Sequence, residues 1–317
     1  MKQDAALRRA KGATVSVIRA AFLIAFSFIL IYPVIFMISN ALKVNTDTIN
    51  PAVDLFSRSP TWEGFKAAFI ALDFWDSLLN TVIYELVSAV LEVLFCALYA
   101  YGLSRYKIPC KKLLMFFLVL MILVPDIMLI IPRIVNFRYF DFIGILGFLE
   151  NLTALDLRPN LIDTVFPFYL PSILGVGLKG GVFIFIYMQF FKGLPVELEE
   201  AAWIDGANPL MAFIRIIIPS SGVVFLTVFI FSFIWHWNDW LLATMYTSNV
   251  HTLAYRTLNI SSYISFAITE GKILTESNLL YGTPLAACLL FIAIPLFSYL
   301  LLQRKFIQSI DRVGIVG

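Results

Sequence analysis

Two glutamates interrupt a stretch of the chain that is otherwise almost entirely apolar. Glu85, Ser88 and Glu92 are spaced by three and then four residues, which places all three on one face of a helix. A charge at the centre of a bilayer costs about 2.5–3.5 kcal/mol on insertion scales, so such a face turns towards protein or water. The glutamates therefore either line a polar path or pair with a basic group on a neighbouring helix.

Other polar groups occur at similar depth in other apolar stretches. Lys179 lies in Gly175-Val-Gly-Leu-Lys-Gly-Gly181, where the glycines favour a break in the helix. Broken helices at membrane depth are tolerated where they are buried in protein or line a cavity. Trp237-Asn238-Asp239 combines an aromatic ring with hydroxyl-binding groups, which suits a sugar, although tryptophans also anchor spans at the membrane surface. The predicted path residues are Glu85, Glu92, Asp126, Lys179, Asn238 and Asp239.

The sequence lacks the motifs of common catalytic sites. It has no Gly-x-x-x-x-Gly-Lys-Ser/Thr loop to bind ATP phosphates, no His-Glu-x-x-His and no nucleophile elbow. Two histidines and three scattered cysteines indicate neither a metal site nor a disulfide framework, and a net charge of +2 gives no reason to invoke nucleic acid. We predict that the chain is not an enzyme and binds no cofactor or metal itself.

A short polar segment, residues 194–219, separates two of the apolar stretches. Pro195 suits the first turn of a helix, and the glutamates after it lie near the positive end of the helix dipole. Asp205-Gly206 is typical of a turn that closes a helix, and Asn208-Pro209 provides a cap and first-turn proline for a second helix, at about 209–218. The segment is predicted to be a water-facing helix-turn-helix. The simpler alternative is an ordinary amphipathic connector.

The spacing within this segment resembles the EAA loop of importer-type ABC permeases. The motif E-A-A-x-x-x-G-x(9)-I-x-L-P is matched by Glu200-Ala201-Ala202, Gly206 and Ile216-x-Ile218-Pro219, with Ile in place of Leu. In that family the loop docks onto a separate ATPase. The resemblance implies that ATP and magnesium are bound by partner subunits and that the coupling residues are Glu200, Ala201, Ala202, Asp205, Gly206 and Pro219.

Further motifs are similar to those of the carbohydrate-uptake subgroup of these permeases, over about residues 78–308. They include Asn80-Thr81, Tyr101-Gly-Leu-Ser-Arg105, Gln189-Phe-Phe-Lys192 and Trp237-Asn238-Asp239. The resemblance implies a single permease domain over 1–317 that contains the coupling loop 194–219. It also implies a heterodimer with a second homologous permease, two ATPase subunits, and an extracytoplasmic solute-binding protein that delivers a sugar or oligosaccharide.

Composition points to a membrane protein independently of any motif. The 317 residues are 60% apolar and have a mean hydropathy of +0.88. Each of six apolar stretches approaches the roughly 20 residues that a transmembrane helix needs. The chain is predicted to be an all-α, polytopic protein with six transmembrane helices, at about 16–38, 78–103, 112–135, 164–192, 219–243 and 283–303.

Basic residues predict the orientation of these spans. Fourteen lysines and arginines lie in the N-terminal segment, the second connection, the coupling loop and its flank, and the tail, against eight in the other connections. Basic residues concentrate on the cytoplasmic side. Both termini and the coupling loop are therefore predicted to face the cytoplasm, in a multi-pass protein of the bacterial inner membrane.

Two classes of function remain open. The first is an ABC importer permease, and the second is an ion-coupled carrier or channel that acts alone and uses its intramembrane acids as ion or proton sites. The EAA spacing favours the importer, because a carrier has no reason to keep a docking loop. The sugar is not identified. Lys179, Arg133 and Arg138 would favour a uronate-bearing oligosaccharide if they faced the path.

Overall fold

The computed structural model describes residues 2–44, 47, 50, 53, 55–141, 143–153, 157–273 and 279–313. Within these ranges, side chains are described from Thr14 to Arg304, except at residues 279 and 280. Most of the basic residues predicted for the N-terminal segment and the tail therefore lie outside the described side chains. All regular secondary structure in the described ranges is helical, in agreement with the predicted all-α class.

The helices are numbered here in chain order, and two of them contain a turn of π-helix. α3 has this turn at Thr81–Leu86 and α10 at Phe213–Ile217. The helix bounds are α1 Lys2–Ala41, α2 Glu63–Ala71, α3 Phe74–Arg105, α4 Lys111–Leu123, α5 Asp126–Arg138, α6 Ile145–Thr153, α7 Phe166–Ile173, α8 Gly180–Lys192, α9 Glu197–Ile204, α10 Pro209–Ser220, α11 Gly222–Trp237, α12 Leu241–Tyr246, α13 Leu253–Leu258, α14 Ile260–Thr269 and α15 Leu279–Val313.

Within the described residues, three helical stretches are long and apolar enough to cross a membrane, and the number rises to six if each bent helix pair counts as one span. The three unbroken stretches are Thr14–Ala41, Phe74–Arg105 and Tyr281–Arg304. They correspond to the first, second and sixth predicted spans. The bent pairs are α4 with α5, α8 with α9, and α10 with α11.

The third predicted span, 112–135, is broken where Pro125 interrupts it. α4 ends before Val124, whose backbone is extended, and α5 begins at Asp126 after a bend of 105°. Proline has no N–H to continue the helix and restricts the residue before it to extended conformations. The fifth predicted span, 219–243, is likewise divided, because α11 covers only Gly222–Trp237 and α12 begins at Leu241.

The fourth predicted span, 164–192, is two helices with an irregular segment between them. α7 ends at Ile173 and α8 begins at Gly180. Gly175 and Lys179 in the intervening segment have left-handed backbones, with φ of 70° and 68°. The break predicted from the glycines is thus present, and it contains a lysine in a conformation that L side chains rarely adopt.

The described helices form two compact units. Unit 1 contains Met1–Leu72 and Ile260–Ile292, and unit 2 contains Asp73–Asn259 and Ala293–Gly317. In unit 1, α1, α2 and the start of α15 approach closely at two glycines. A Cβ on Gly64 would lie 2.7 Å from the Ala41 carbonyl oxygen, and one on Gly282 would lie 3.0 Å from that of Asn40.

Unit 2 is organised around α3, which packs against α7, α8 and α11. Its buried residues alternate small side chains with large ones: Ala97 and Ala100 of α3 meet the aromatic rings of α8, including Phe183, Tyr187 and Phe191. Small residues let membrane helices approach each other closely, where dispersion forces act. Both predicted sites lie on α3 and its neighbours in this unit.

Candidate functional site

The glutamate face of α3 is buried inside unit 2. Glu85 lies in the π-helical turn and Glu92 two turns further on, and the two residues are 1% and 0% exposed. Single π-helical turns often mark functional sites, because the extra residue changes which side chains face a neighbour. Both glutamates face α11.

His236 of α11 lies between these two carboxylates. Its Nδ1 is 3.1 Å from Glu85 Oε2, and its Nε2 is 2.9 Å from Glu92 Oε2. For both contacts to be hydrogen bonds, the three groups must share two protons: either an imidazolium donates twice, or a neutral ring donates to one glutamate and accepts from the other, protonated one. Either arrangement has a net charge of −1. We call Glu85, His236 and Glu92 the Glu-His-Glu bridge.

The remaining oxygens of the bridge are not hydrogen-bonded. Glu85 Oε1 and Glu92 Oε1 have no partner among the described residues. Glu92 Oε1 instead faces the irregular segment between α7 and α8, where a Cβ on Gly177 would lie 2.7 Å from it and one on Gly180 3.1 Å from it. Glycine at these two positions therefore leaves the space that the carboxylate occupies.

Asp239 and Asn238 follow α11 but differ in environment. Asp239 is buried and accepts hydrogen bonds from the N–H groups of Leu241 and Leu242, so it caps α12, and it lies near enough to Glu85 to interact electrostatically. Asn238 is exposed and donates its amide to the Ile234 carbonyl oxygen at 2.7 Å. Only Asp239 extends the acidic region around the bridge.

The breaks in the third and fourth predicted spans meet at an ion pair. Lys179 Nζ, before α8, lies 2.6 Å from Asp126 Oδ2, at the start of α5, and the two side chains are 39% and 28% exposed. Arg133 of α5 donates to the Val176 carbonyl oxygen at 3.0 Å. These contacts give the irregular segments at both breaks hydrogen-bond and charge partners, as backbone at membrane depth requires.

Two small cavities share Arg133 in their walls. One is lined by residues of both breaks, including Asp126 and Lys179. The other is lined by Glu85, His236 and residues of α7. We refer to Glu85, Glu92, Asp126, Asp239, His236, Lys179 and Arg133 as the interior cluster.

The interior cluster brings together five of the six predicted path residues and leaves out Asn238. The sequence left open that the two glutamates pair with a basic group on a neighbouring helix. In the structure that group is His236 of α11. His236 and Arg133 are the additional members. His236 stood beside the predicted Trp237-Asn238-Asp239 motif, but sequence spacing could not pair it with α3. The role of these residues in a path stays a prediction.

The coupling segment has the predicted helix-turn-helix geometry. α9 is closed by Gly206, with φ of 84°, through hydrogen bonds from Gly206 N–H to the Trp203 carbonyl and from Ala207 N–H to the Ala202 carbonyl. These are the two bonds of a Schellman motif. Asn208 Oδ1 then accepts from Met211 N–H at 2.8 Å and caps α10.

Most of the predicted coupling residues are exposed. Glu200, Ala201, Asp205, Gly206 and Pro219 face outwards, whereas Ala202 is buried. Around them the segment exposes large apolar side chains: Val196, Leu198, Trp203, Ile204, Leu210 and Met211. Such a patch, with acidic residues beside it, is typical of a protein interaction surface. We call it the coupling face.

Glu199 behaves differently from the glutamates on either side of it. It is 1% exposed, and its Oε1 lies 2.7 Å from Arg105 Nε at the end of α3. Its Oε2 accepts a hydrogen bond of 2.9 Å from the Tyr101 hydroxyl. We call Tyr101, Arg105 and Glu199 the α3–α9 latch. The sequence motif around Glu200 gave no sign of it, because helical spacing alone does not show which of several adjacent acids faces inwards.

The described residues form helices and no strands, and several of the helices are long and apolar enough to cross a membrane, as in a multi-pass membrane protein. The chain belongs to the family described as binding-protein-dependent transport system inner membrane component, whose model matches residues 93–312. It is a multi-pass permease of the ABC transporter class.

Its relatives are named as permeases of sugar uptake systems. The chain is 26% identical to the diacetylchitobiose uptake permease NgcG of Streptomyces coelicolor, with 92% of this chain and 86% of NgcG covered. It is 28% identical to the trehalose transport permease SugB of Mycobacterium tuberculosis, with 90% and 92% covered. These proteins are named as transporter subunits rather than enzymes, and the chain accordingly is a transport subunit of the sugar permease type.

A solved structure has the same fold. The crystal structure of a bacterial ABC transporter involved in the import of the acidic polysaccharide alginate contains a chain that matches with a TM-score of 0.67. The match covers 92% of this chain and 95% of that chain at 19% sequence identity. The chain therefore has the overall fold of that chain.

Proposed function

We propose that this permease and a second, homologous permease together form the path by which a sugar or oligosaccharide crosses the bacterial cytoplasmic membrane. An extracytoplasmic solute-binding protein delivers the sugar. Two cytoplasmic ATPase subunits bind ATP and magnesium and drive import through α9 and α10. The coupling face carries this proposal, because it is an exposed apolar and acidic surface at a defined helix-turn-helix.

The charge pattern of the coupling face suits a basic groove on an ATPase. Glu197 and Glu200 are exposed in the first turn of α9, where the helix dipole favours negative charge. The apolar side chains between them and α10 would be covered in the complex, which the hydrophobic effect favours. In this arrangement both termini face the cytoplasm on the same side as the coupling face.

Preference for an acidic over a neutral sugar would depend on which cations of the site are not already neutralised by an acid. Lys179 was one of three cations that favoured a uronate, but Asp126 already neutralises it at 2.6 Å. Recognition of an acidic oligosaccharide would therefore depend chiefly on Arg133, which lines both cavities. Arg133→Gln should then reduce uptake of an acidic sugar more than uptake of a neutral one.

The second candidate function is an ion-coupled carrier, for which the Glu-His-Glu bridge supplies a specific observation. Three buried titratable groups that share two protons could exchange a proton during transport. This candidate requires uptake that follows an ion gradient and needs no ATPase.

The deciding experiment uses proteoliposomes that contain this chain, its partner permease and the ATPase, with the binding protein outside. Uptake is measured for trehalose, N,N′-diacetylchitobiose, maltotriose and an alginate trisaccharide, with and without ATP inside. We expect uptake of at least one sugar only with ATP, and loss of ATPase co-purification in Glu200→Lys. Uptake without ATP under a proton gradient would replace the importer with the carrier.

A further inference from the structure

We propose that Arg105 and Glu199 are positioning residues that fix the coupling helix α9 to the end of α3. The proposal rests on the proposed function, in which an ATPase docks on the coupling face. It separates two roles among three neighbouring glutamates: Glu197 and Glu200 meet the ATPase, whereas Glu199 holds α9 in place. Of these three glutamates, only Glu200 belongs to the sequence motif.

The latch joins three helices through a single side chain. The Arg105 guanidinium reaches Glu199 Oε1 of α9 through Nε at 2.7 Å and the Leu194 carbonyl oxygen, just after α8, through its terminal nitrogen at 2.8 Å. Arg105 itself is the last residue of α3. A guanidinium suits this task because its planar fork donates in fixed directions to several acceptors at once.

Tyr101 completes the latch from one turn earlier on α3. Its hydroxyl donates to Glu199 Oε2 at 2.9 Å and lies 3.2 Å from the Tyr106 hydroxyl. Its ring packs against Phe213 of α10, with centroids 5.0 Å apart. The latch thus contacts both helices of the coupling segment.

The position of α3 gives the latch its mechanical role. One end of this helix holds α9 through Arg105, and its middle carries Glu85 and Glu92, which contact His236 of α11. A force applied to the coupling face by an ATPase therefore reaches the interior of unit 2 through α3, provided that the latch is closed. Without the latch, α9 can move while α3 stays still.

The charges of the latch are matched and buried. Arg105 is 8% exposed and Glu199 1% exposed in their side chains, so water cannot replace either partner easily. Removing one partner of a buried pair leaves the other without compensation, whereas removing both avoids that penalty. The two kinds of variant can therefore separate positioning from general stability.

The test uses the intact complex of this chain, its partner permease, the ATPase and the binding protein in proteoliposomes. Three quantities are measured: the amount of ATPase that co-purifies, the stimulation of ATP hydrolysis by binding protein with the four-sugar mixture described above, and amide hydrogen exchange of residues 194–206. The variant is Glu199→Gln and its matched control is Glu200→Gln, which changes the adjacent, exposed acid in the same way.

We expect Glu199→Gln to retain the ATPase but to lose stimulation by roughly tenfold, within the range of coupling between linked sites. Exchange of residues 194–206 should rise in the same variant. The single variant Arg105→Lys keeps the charge but not the planar fork of the guanidinium, so it should retain part of the stimulation that Glu199→Gln loses. Glu200→Gln should instead reduce ATPase co-purification and leave the exchange of α9 in the uncomplexed permease unchanged.

The double variant Arg105→Gln/Glu199→Gln covers the case in which the single variant fails to fold. It contains no unpaired buried charge, so we expect a folded complex that is still poorly stimulated. Full stimulation in either the double variant or Glu199→Gln would overturn the positioning role. The proposed docking itself is wrong if Glu200→Lys and wild type bind the ATPase equally and the ATPase does not protect residues 194–206 from exchange. The latch proposal then fails because there is no docked ATPase, an outcome that differs from full stimulation in the latch variants.

Discussion

The interior cluster and the α3–α9 latch are both buried ionic sites on the same helix, and they differ in how their charges are matched. The latch pairs one arginine with one glutamate, and Tyr101 satisfies the second carboxylate oxygen. The interior cluster has four acids, and Glu85 Oε1 and Glu92 Oε1 have no hydrogen-bond partner among the described residues. The bridge at its centre has a net charge of −1 in either arrangement of its protons.

This difference teaches what each site can do. A charge-matched buried ion pair fixes the relative position of two helices, because any displacement exposes a charge that only its partner compensates. A site with unused acceptors can bind something further, such as a sugar hydroxyl, a proton or water, at modest cost. Buried groups without partners are costly, so they are retained where they serve a function.

The largest expected effect comes from removing the basic partner of the bridge. His236→Leu leaves two buried carboxylates facing each other's charge, at a cost of about 3–5 kcal/mol in unfolding free energy. The triple variant Glu85→Gln/Glu92→Gln/His236→Gln carries no charge and should recover most of this loss. The measurement is unfolding in mixed micelles followed by tryptophan fluorescence. Equal stability of His236→Leu and wild type would contradict the bridge.

A second test fills the space that the unpaired carboxylate uses. Gly177→Ala places a methyl group 2.7 Å from Glu92 Oε1 and 3.1 Å from Ser172, so we expect a loss of about 1–3 kcal/mol from overpacking. Gly102→Ala is the control, because nothing lies within 4 Å of its Cβ position. In the interior of α3 alanine should stabilise by up to about 1 kcal/mol. A similar change in unfolding free energy for both glycine variants would show that the Glu92 carboxylate has room to move away from the added methyl group.

The coupling segment is tested at its turn. Gly206→Val forces a branched side chain into a left-handed backbone at a cost of about 1–3 kcal/mol, although no atom lies within 4 Å of its Cβ position. We expect a folded permease that binds less ATPase in co-purification. Gly206→Asn tolerates the same φ and should bind nearly normally. If the Asn and Val variants bind equally, the backbone of the turn is unimportant.

The ion pair at the two breaks should matter less to stability. Lys179 and Asp126 are partly exposed, so solvent screens them, and Lys179→Gln should cost at most about 1 kcal/mol. Its effect on uptake is the sharper measurement: if Lys179 lines the path, uptake of an alginate trisaccharide should fall more than uptake of trehalose. Asp126→Asn/Lys179→Gln is the control for charge balance. Equal effects on both sugars would leave Lys179 with a structural role.

The smallest effect is expected in unit 1, at Asp47, an acid that accepts several hydrogen bonds. The Ser57 hydroxyl, followed by the N–H groups of Arg58 and Ser59, holds the pKa of Asp47 below its usual value of 3.8. A lowered pKa adds stability that is complete above the unfolded-state value and is lost as pH falls through the folded-state value. Hydrogen exchange of residues 55–61, corrected for intrinsic rates, should rise below about pH 4 in wild type but not in Asp47→Asn. Identical profiles would show that Asp47 does not hold this segment.

The sequence alone was sufficient for the helical class, for the three unbroken apolar helices and for the helix-turn-helix at residues 194–219. Hydrophobic stretches near the thickness of a bilayer and the run of glycines from Gly175 act locally, so their effects can be read along the chain, whereas the break at Pro125 in the third predicted span was not predicted. The turn at Gly206 and the cap at Asn208 were predictable for the same reason: each needs only residues within one or two helical turns.

Only the tertiary structure decided which charges meet. Glu85 and His236 are 151 positions apart, and Arg105 and Glu199 are separated by 94. No local pattern shows that Glu199 faces α3 while Glu200 faces water, since a helix turns by about 100° per residue and the inward side is set by its neighbours. The sequence determined which positions along the apolar helices carry a charge. Helix packing determined which charges pair, because a buried charge is costly unless the assembled helices place a partner beside it.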